Sequence, residues 1–255
     1  MTLPSGLDKL HQNAASPIYA SGDTTLDELL GGKGFQNDLV YLLIGDRRVV
    51  SKILLTTAVH TFTQFKTQDG KCRGSYQEKV AFVDGNNHFN PYQVSKLAVS
   101  LNLSPHSVLE NILIARAFTF DQMIELLEHR ISALKEVKIL LISGITTLWP
   151  NYEKNTFEEL LKAIDGIKQV MKTYQSLIVI TAPLHQYSAI KPVGGHSLTH
   201  FGQVLVLIEN DERLVTYTLL QHPFLPETSL KRWLPLKPKR NLKVPQKNTT
   251  IDNWF

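Results

Sequence analysis

Short apolar segments alternate with longer amphipathic segments along most of the chain. Runs rich in β-branched and aliphatic residues predict strands at residues 39–44, 80–83, 112–116, 138–142, 177–181, 203–208 and 214–221. Helical periodicity predicts helices at residues 51–62, 91–101, 121–134 and 157–174, with a charged turn at residues 46–48 before the first of them. Strands that alternate with helices imply right-handed crossovers, so the predicted fold is α/β with a mostly parallel sheet.

The pattern changes after Gly195. The two β-rich runs at 203–208 and 214–221 are separated by a short segment whose Asn210-Asp211 pair suits a turn. We therefore expect an antiparallel hairpin at the C-terminal edge of the sheet.

Composition places the chain among globular proteins. It has 255 residues, of which 43% are hydrophobic and 20% charged, which excludes a disordered or low-complexity chain. The single cysteine, Cys72, excludes an internal disulfide and a thiolate-rich zinc site. No apolar run has the length of a membrane span, and the first 20 residues lack a signal-peptide core, so we expect a cytoplasmic protein without membrane association.

The net charge of +4 is unevenly distributed. Residues 231–255 hold seven basic residues and one acid, Asp252, whereas the preceding 230 residues hold 20 basic and 22 acidic groups. The basic side chains of this tail allow two compatible interpretations: the tail is a solvated spacer, or it contacts DNA non-specifically. They are Lys231, Arg232, Lys237, Lys239, Arg240, Lys243 and Lys247.

Five segments, in order, resemble the core of RecA/RadA-type recombinases. They are residues 21–32 (SGDTTLDELLGG), 83–91 (VDGNNHFNP), 111–118 (NILIARAF), 191–200 (KPVGGHSLTH) and 224–227 (FLPE). The resemblance implies a RecA-like fold over roughly residues 18–230. It divides the chain into an N-terminal arm (1–20), the core (21–235), a basic Pro-rich linker (236–247) and a terminal peptide (248–255).

The resemblance also implies a phosphate loop after the first strand, where the residues depart from the family pattern. A phosphate loop needs small residues, then a Lys for the phosphates and a Ser or Thr for magnesium. Counted from Gly45, those two positions hold Ser51 and Lys52, and in the neighbouring register they hold Val50 and Ser51. Neither register places a Lys before a hydroxyl residue.

Two further positions that the family uses in ATP hydrolysis are also changed. Gly144 stands where the resemblance implies the magnesium-binding Asp, and Asn86 stands where it implies the catalytic Glu. An amide cannot accept a proton from an attacking water. We therefore predict a pseudo-ATPase with no catalytic residues, no cofactor and no metal. His196 and His200 have the spacing of metal ligands on a helix, but the sequence offers no third ligand near them.

The last eight residues resemble the peptide with which proteins bind the sliding clamp (PCNA). Asn248 stands in place of the usual Gln, and one turn of 3₁₀ helix would bring Ile251, Trp254 and Phe255 onto one face. Similar endings are common in archaeal clamp-binding proteins. The alternative is that these side chains cap an apolar groove of the chain's own core.

Together these features predict a non-catalytic RadA/RecA-like paralogue that acts as a clamp-binding adaptor or regulator in DNA replication or recombinational repair. We expect the protein to associate with the nucleoid, or to be nuclear if the source is a eukaryote. The second partner would be a RadA-type recombinase or a DNA polymerase. Two alternatives stay open: an ATP-dependent recombinase paralogue in which Lys52 reaches the phosphates, and a single-stranded DNA-binding recombination mediator that works without the clamp.

Overall fold

A computed structural model describes residues 18–234, apart from positions 33, 38, 64, 67–71, 74–78, 132, 135–136 and 150–155. At 65–66, 72–73 and 156 only the backbone is described. Nearly all of the predicted arm, the linker (236–247) and the terminal peptide (248–255) lie outside the described residues.

Eight strands of the described chain form one central sheet, and two antiparallel two-stranded sheets stand apart from it. The described strands are β1 (Ile18–Tyr19), β2 (Phe35–Gln36), β3 (Val40–Gly45), β4 (Phe65–Lys66), β5 (Cys72–Arg73), β6 (Lys79–Asp84), β7 (Ile112–Arg116), β8 (Val137–Ser143), β9 (Leu177–Ala182), β10 (Val204–Asp211), β11 (Leu214–Gln221) and β12 (Thr228–Trp233). The order in the central sheet is β12-β11-β10-β3-β9-β8-β6-β7, and the two small sheets are β1-β2 and β4-β5.

The six strands from β10 to β7 in this order are all parallel, while β11 and β12 are antiparallel to their neighbours. The predicted mostly parallel α/β sheet and its C-terminal hairpin are therefore confirmed. The edge strand β12, which pairs with β11, is an addition that the sequence did not predict.

Helices cover both faces of the sheet. Those in the described residues are α1 (Thr24–Leu29), α2 (Arg47–His60), α3 (Pro91–Ser100), α4 (Pro105–Glu110), α5 (Phe120–Glu125), α6 (Thr156–Tyr174) and α7 (Gly195–Phe201). Helix α5 continues into a π-helical turn, Leu126–Arg130. Asn90 and Ser104 cap α3 and α4, each followed by a proline whose fixed φ suits the first helical position.

The alternation of side chains along each strand divides the core in two. On β3, Tyr41 and Leu43 face a cluster with α1 to α4, whereas Leu42 and Ile44 face a cluster with α5 to α7. Because both faces are covered, the parallel strands are apolar almost throughout. The carboxyl ends of these strands meet at one edge, where ligands of open α/β sheets usually bind.

The start of α2 corrects the sequence prediction. The charged turn expected at residues 46–48 is the N-cap and first turn of the helix, which begins at Arg47 rather than at Ser51. The reason is the side chain of Asp46, which bonds to the first-turn amides and allows the helix to form directly behind the strand.

Candidate functional site

The connection from β3 to α2 consists of one residue. Asp46 follows Gly45, and its Oδ1 accepts hydrogen bonds from the backbone N–H groups of Arg48 at 3.0 Å and Val49 at 2.9 Å. Helix N-termini attract anions through such free amides and the helix dipole. In this protein the carboxylate of Asp46 already serves as that anion.

Gly45 allows the close approach of two neighbouring strands. Its φ is +119°, and a Cβ there would overlap the carbonyl oxygen of Ile208 on β10. The next amide, that of Asp46, donates to the same carbonyl at 2.8 Å. The glycine is therefore required by strand packing at this position.

The three residues predicted at the phosphate-loop Lys and Ser/Thr positions do not lie on one surface of the protein. Val50 and Ser51 are buried, and the Ser51 hydroxyl makes no hydrogen bond with the described residues. Lys52 is exposed and lines a cavity beside β12. The structure does not bring these side chains together.

Asn86 occupies the space beside Gly144. Its Nδ2 donates to Ser143 Oγ at 3.1 Å, and its Oδ1 accepts from Thr147 Oγ1 at 2.7 Å. Gly144 has φ +69°, and a Cβ there would overlap both Asn86 Oδ1 and Thr147 Oγ1. Asn86 and Gly144, predicted at separate catalytic positions, thus lie in one uncharged network. The side-chain amide of Asn86 fills the space that a side chain at position 144 would need.

Arg47 closes this network from the side of α2. Its guanidinium donates to the backbone oxygen of Asn86 at 2.5 Å, which links the first turn of the helix to the loop after β6. Arg47 belongs to the charged turn that the sequence placed at the expected phosphate position, but its contact with Asn86 was not predicted. Ser143 and Thr147 were not identified from the sequence. Their participation depends on how strand ends meet in space, and only their position at or shortly after the end of β8 could have indicated it.

The buried carboxylate nearest to Asn86 along the chain is Asp84, at the end of β6. It is fully buried and accepts from the amides of His88 at 3.1 Å and Phe89 at 2.9 Å. Arg116 on β7 pairs with it at 3.3 Å. These contacts fix the loop after β6 and the end of the edge strand.

A second polar cluster joins α1 to strands β11 and β12. Asp23 caps α1, and its Oδ2 accepts from the Tyr217 hydroxyl at 2.8 Å and from Arg232 at 2.6 Å. Burial, and then the bond to Asp23, raise the pKa of Tyr217 well above its ordinary value. Arg232, predicted as a possible DNA contact, therefore also has a structural partner, while Lys231 beside it is exposed.

Several predicted site residues fall outside the described residues. They are Lys237, Lys239, Arg240, Lys243, Lys247, Asn248, Ile251, Trp254 and Phe255.

His196 and His200 form a pair on α7, with their Nε2 atoms 2.6 Å apart. In the part of the chain that the structure describes, no three His, Cys, Asp or Glu side chains are grouped as metal ligands would be. The described helices also include none with the length and apolar character to cross a bilayer.

Comparison with known proteins adds the family. The mouse meiotic recombination protein DMC1/LIM15 homolog is 26% identical over 199 residues, which cover 71% of this chain and 57% of the mouse protein. The meiotic recombination protein DMC1 homolog of Glycine max is 25% identical over 242 residues, covering 88% of this chain and 68% of the relative. A family model described as Rad51 matches residues 17–232, most of the chain, and the protein therefore belongs to the Rad51 family.

Proposed function

We propose that this protein is a non-catalytic member of the Rad51 family that acts in DNA recombination or repair as an adaptor bound to the sliding clamp. The adaptor has two working parts. Its core contacts another protein, and its C-terminal peptide binds the clamp.

The carrying observation is the single-residue connection between β3 and α2. A phosphate bound there would meet the Asp46 carboxylate, which already accepts hydrogen bonds from two first-turn amides. The negative charges of the phosphate and of the Asp46 carboxylate would repel each other there. This connection has no Lys followed by a Ser or Thr that could offset the repulsion. The connection at Asp46 therefore does not fit the phosphates of a nucleoside triphosphate.

The network around Asn86 supports the same conclusion for the magnesium ion. Divalent magnesium is held by carboxylate and phosphate oxygens. The positions at this strand edge hold Gly144, Ser143 and Asn86, and the carboxylate of Asp84 is already bound to Arg116 and two amides. Hydrolysis would require a magnesium-binding carboxylate and a general base, and the positions that the resemblance assigns to them hold Gly144 and Asn86.

The edge strand β7 supports a protein partner for the core. It pairs with β6 on one side, and within the described residues no strand pairs with its other side. Ile114 and Phe118 on and beside it are 48% and 67% exposed. An open strand edge with apolar side chains is suited to strand addition by another protein, for which an active recombinase or a polymerase is our candidate.

The clamp-binding part rests on the sequence of the tail. The spacing of Ile251, Trp254 and Phe255 gives three apolar side chains for one pocket, each contributing roughly 1.5–3 kcal/mol before ordering costs. That is enough for binding in the micromolar range.

Calorimetric titration into the sliding clamp of the same organism tests this proposal. The full-length protein is compared with Trp254→Ala/Phe255→Ala and with the control Asn253→Ala, which keeps all three apolar side chains. We expect micromolar or tighter binding by the intact protein and the control, and none by the double variant. Equal binding by all three, or no binding by the intact protein, would overturn the clamp-bound adaptor.

A further inference from the structure

A cavity of about 230 Å³ lies between α2 and strands β11 and β12. Three of the side chains that line it are basic, and they come from two different elements. Arg48 and Lys52 are four residues apart on successive turns of α2, so they lie on the same face of the helix. Arg232 joins the lining from β12.

The positive charge of this cavity is not balanced by the described residues around it. The acid in the described lining is Asp23, which pairs with Arg232 at 2.6 Å and also accepts from the Tyr217 hydroxyl. Neither Arg48 nor Lys52 has an ion-pair partner in the part of the chain that the structure describes. Three basic groups and one acid leave two uncompensated positive charges at the cavity.

Arg232 also has donor capacity left after its bond to Asp23. Its Nη1 donates to Asp23 Oδ2, whereas its Nε is buried and has no hydrogen-bond partner among the described residues. A buried donor without a partner is costly, and an anionic oxygen is its strongest partner. The unbalanced charge and the unused donor therefore both favour an oxyanion as the ligand.

Charge and size select among oxyanions. A phosphate monoester has a charge of about −1.5 to −2 at pH 7, which matches the two uncompensated cations, whereas a carboxylate would neutralise only one of them. Its three free oxygens also point in different directions, so they can accept from α2 and from β12 together. Pockets for whole small-molecule ligands measure roughly 300–1,000 Å³, so this cavity suits a phosphorylated side chain rather than a nucleotide.

The remaining lining indicates what carries the phosphate. Most of it is apolar and consists of Val49, Ile53, Val215 and Leu234. A free phosphate ion has no carbon atoms to bury against such side chains. A phosphorylated serine or threonine does, because its Cβ, and in threonine also a methyl group, lies next to the ester oxygen. The lining therefore favours a phosphorylated side chain over inorganic phosphate.

We propose that Arg48, Lys52 and Arg232 bind a phosphoserine or phosphothreonine side chain of a partner protein. Phosphorylation of the partner then promotes its attachment to the core, because the unmodified side chain brings no charge to the cavity. The inference rests on the proposed adaptor role, for which it supplies the chemistry of a partner of the core. It uses neither the terminal peptide nor the connection at Asp46, so phosphopeptide binding and clamp binding can each fail alone.

The test is the binding of a fluorescein-labelled alanine peptide with one central phosphothreonine to the full-length protein, followed by fluorescence anisotropy without the clamp. The variant is Arg48→Gln/Lys52→Gln, in which both altered side chains are exposed, so we expect unchanged thermal unfolding. The control is Lys96→Gln/Lys162→Gln, which removes two exposed cations of α3 and α6 that do not line the cavity.

We expect the phosphopeptide to bind more tightly than the same peptide with threonine or glutamate in place of the phosphothreonine. A hydrogen bond to a charged group changes an affinity by about 10-fold or more. Each single variant should therefore weaken phosphopeptide binding by at least about 10-fold, and the double variant by about 100-fold. The control variant should bind as the unmodified protein does.

Four results would overturn the proposal. The first is no phosphopeptide binding up to millimolar concentration. The second is an equal affinity for the double variant, the control and the unmodified protein. The third is equally tight binding of the glutamate peptide, which would identify an acidic protein segment as the ligand. The fourth is inorganic phosphate that binds at the cavity as tightly as the phosphopeptide, which would identify a free-ion site.

Discussion

Introducing a carboxylate at position 144 should destabilise the protein. The substitution Gly144→Asp places an Asp where the resemblance to RecA/RadA-type recombinases implies the magnesium-binding residue. Gly144 has φ +69° and is buried, and a Cβ there would overlap Asn86 Oδ1 and Thr147 Oγ1. The new side chain therefore enters space that the Asn86 network already fills.

The cost has three parts. A left-handed conformation costs a non-glycine residue about 1 kcal/mol. Displacing Asn86 breaks its bonds to Ser143 and Thr147, at about 1 kcal/mol each. A buried carboxylate without a cation adds at least about 1 kcal/mol. We expect a total loss of about 4 kcal/mol in the free energy of unfolding.

Urea denaturation followed by circular dichroism measures this loss. Gly32→Asp is the matched control, because Gly32 has φ +79° and a Cβ there meets no described atom within 4 Å. The control isolates the backbone strain and should lose about 1 kcal/mol. Equal losses for the two variants, or a stable Gly144→Asp protein that binds magnesium, would refute the packing argument for this edge of the sheet.

Three further changes test other parts of the structure. Asp46→Ala removes the cap of α2 and should lower the free energy of unfolding by about 1 kcal/mol, with Asp46→Asn close to the unmodified protein in urea denaturation; equal losses would contradict the capping role. Asp23→Ala leaves Arg232 and Tyr217 without their shared partner and should cost about 3 kcal/mol, whereas Tyr217→Phe should cost about 1 kcal/mol; a smaller loss for Asp23→Ala than for Tyr217→Phe in the same assay would contradict the shared network. Burial lowers the pKa of His60 in the folded protein, so as the pH falls the unfolded protein protonates this histidine before the folded protein does, and the free energy of unfolding should fall below about pH 6.5. The substitution His60→Gln should reduce that loss of stability between pH 8 and pH 5.5. An unchanged pH dependence of stability in this variant would exclude His60 as its source.

The parallel sheet was predictable because its strands are short apolar runs. The predicted segments 39–44, 80–83, 138–142 and 177–181 agree with the interior strands β3, β6, β8 and β9 to within one residue at each end. Burial on both faces requires apolar residues at nearly every position, and this signal needs no knowledge of the neighbours.

Edge and cap elements were predicted less well. Strand β12 (Thr228–Trp233) contains two basic residues, has no buried position and lies between prolines, so its own pattern gave little indication of a strand although it pairs with β11, the strand before it in the chain. Helix α4 was missed although Ser104 followed by Pro105 is a typical N-terminal signal. At the site, the sequence identified Asn86 and Gly144 separately, but their contact depends on the spacing of strands β6 and β8.

The most direct test of the central claim is thermal unfolding of the full-length protein with and without MgATP, beside an active Rad51-family recombinase. If the connection at Asp46 cannot hold phosphates, about 5 mM MgATP should leave the unfolding midpoint unchanged. A site with a Kd of about 50 µM would add about 2.7 kcal/mol at that concentration and raise the midpoint by several degrees. A rise of that size, abolished by Lys52→Gln, would contradict the claim that this site does not fit a nucleoside triphosphate and would support the alternative of an ATP-dependent recombinase paralogue.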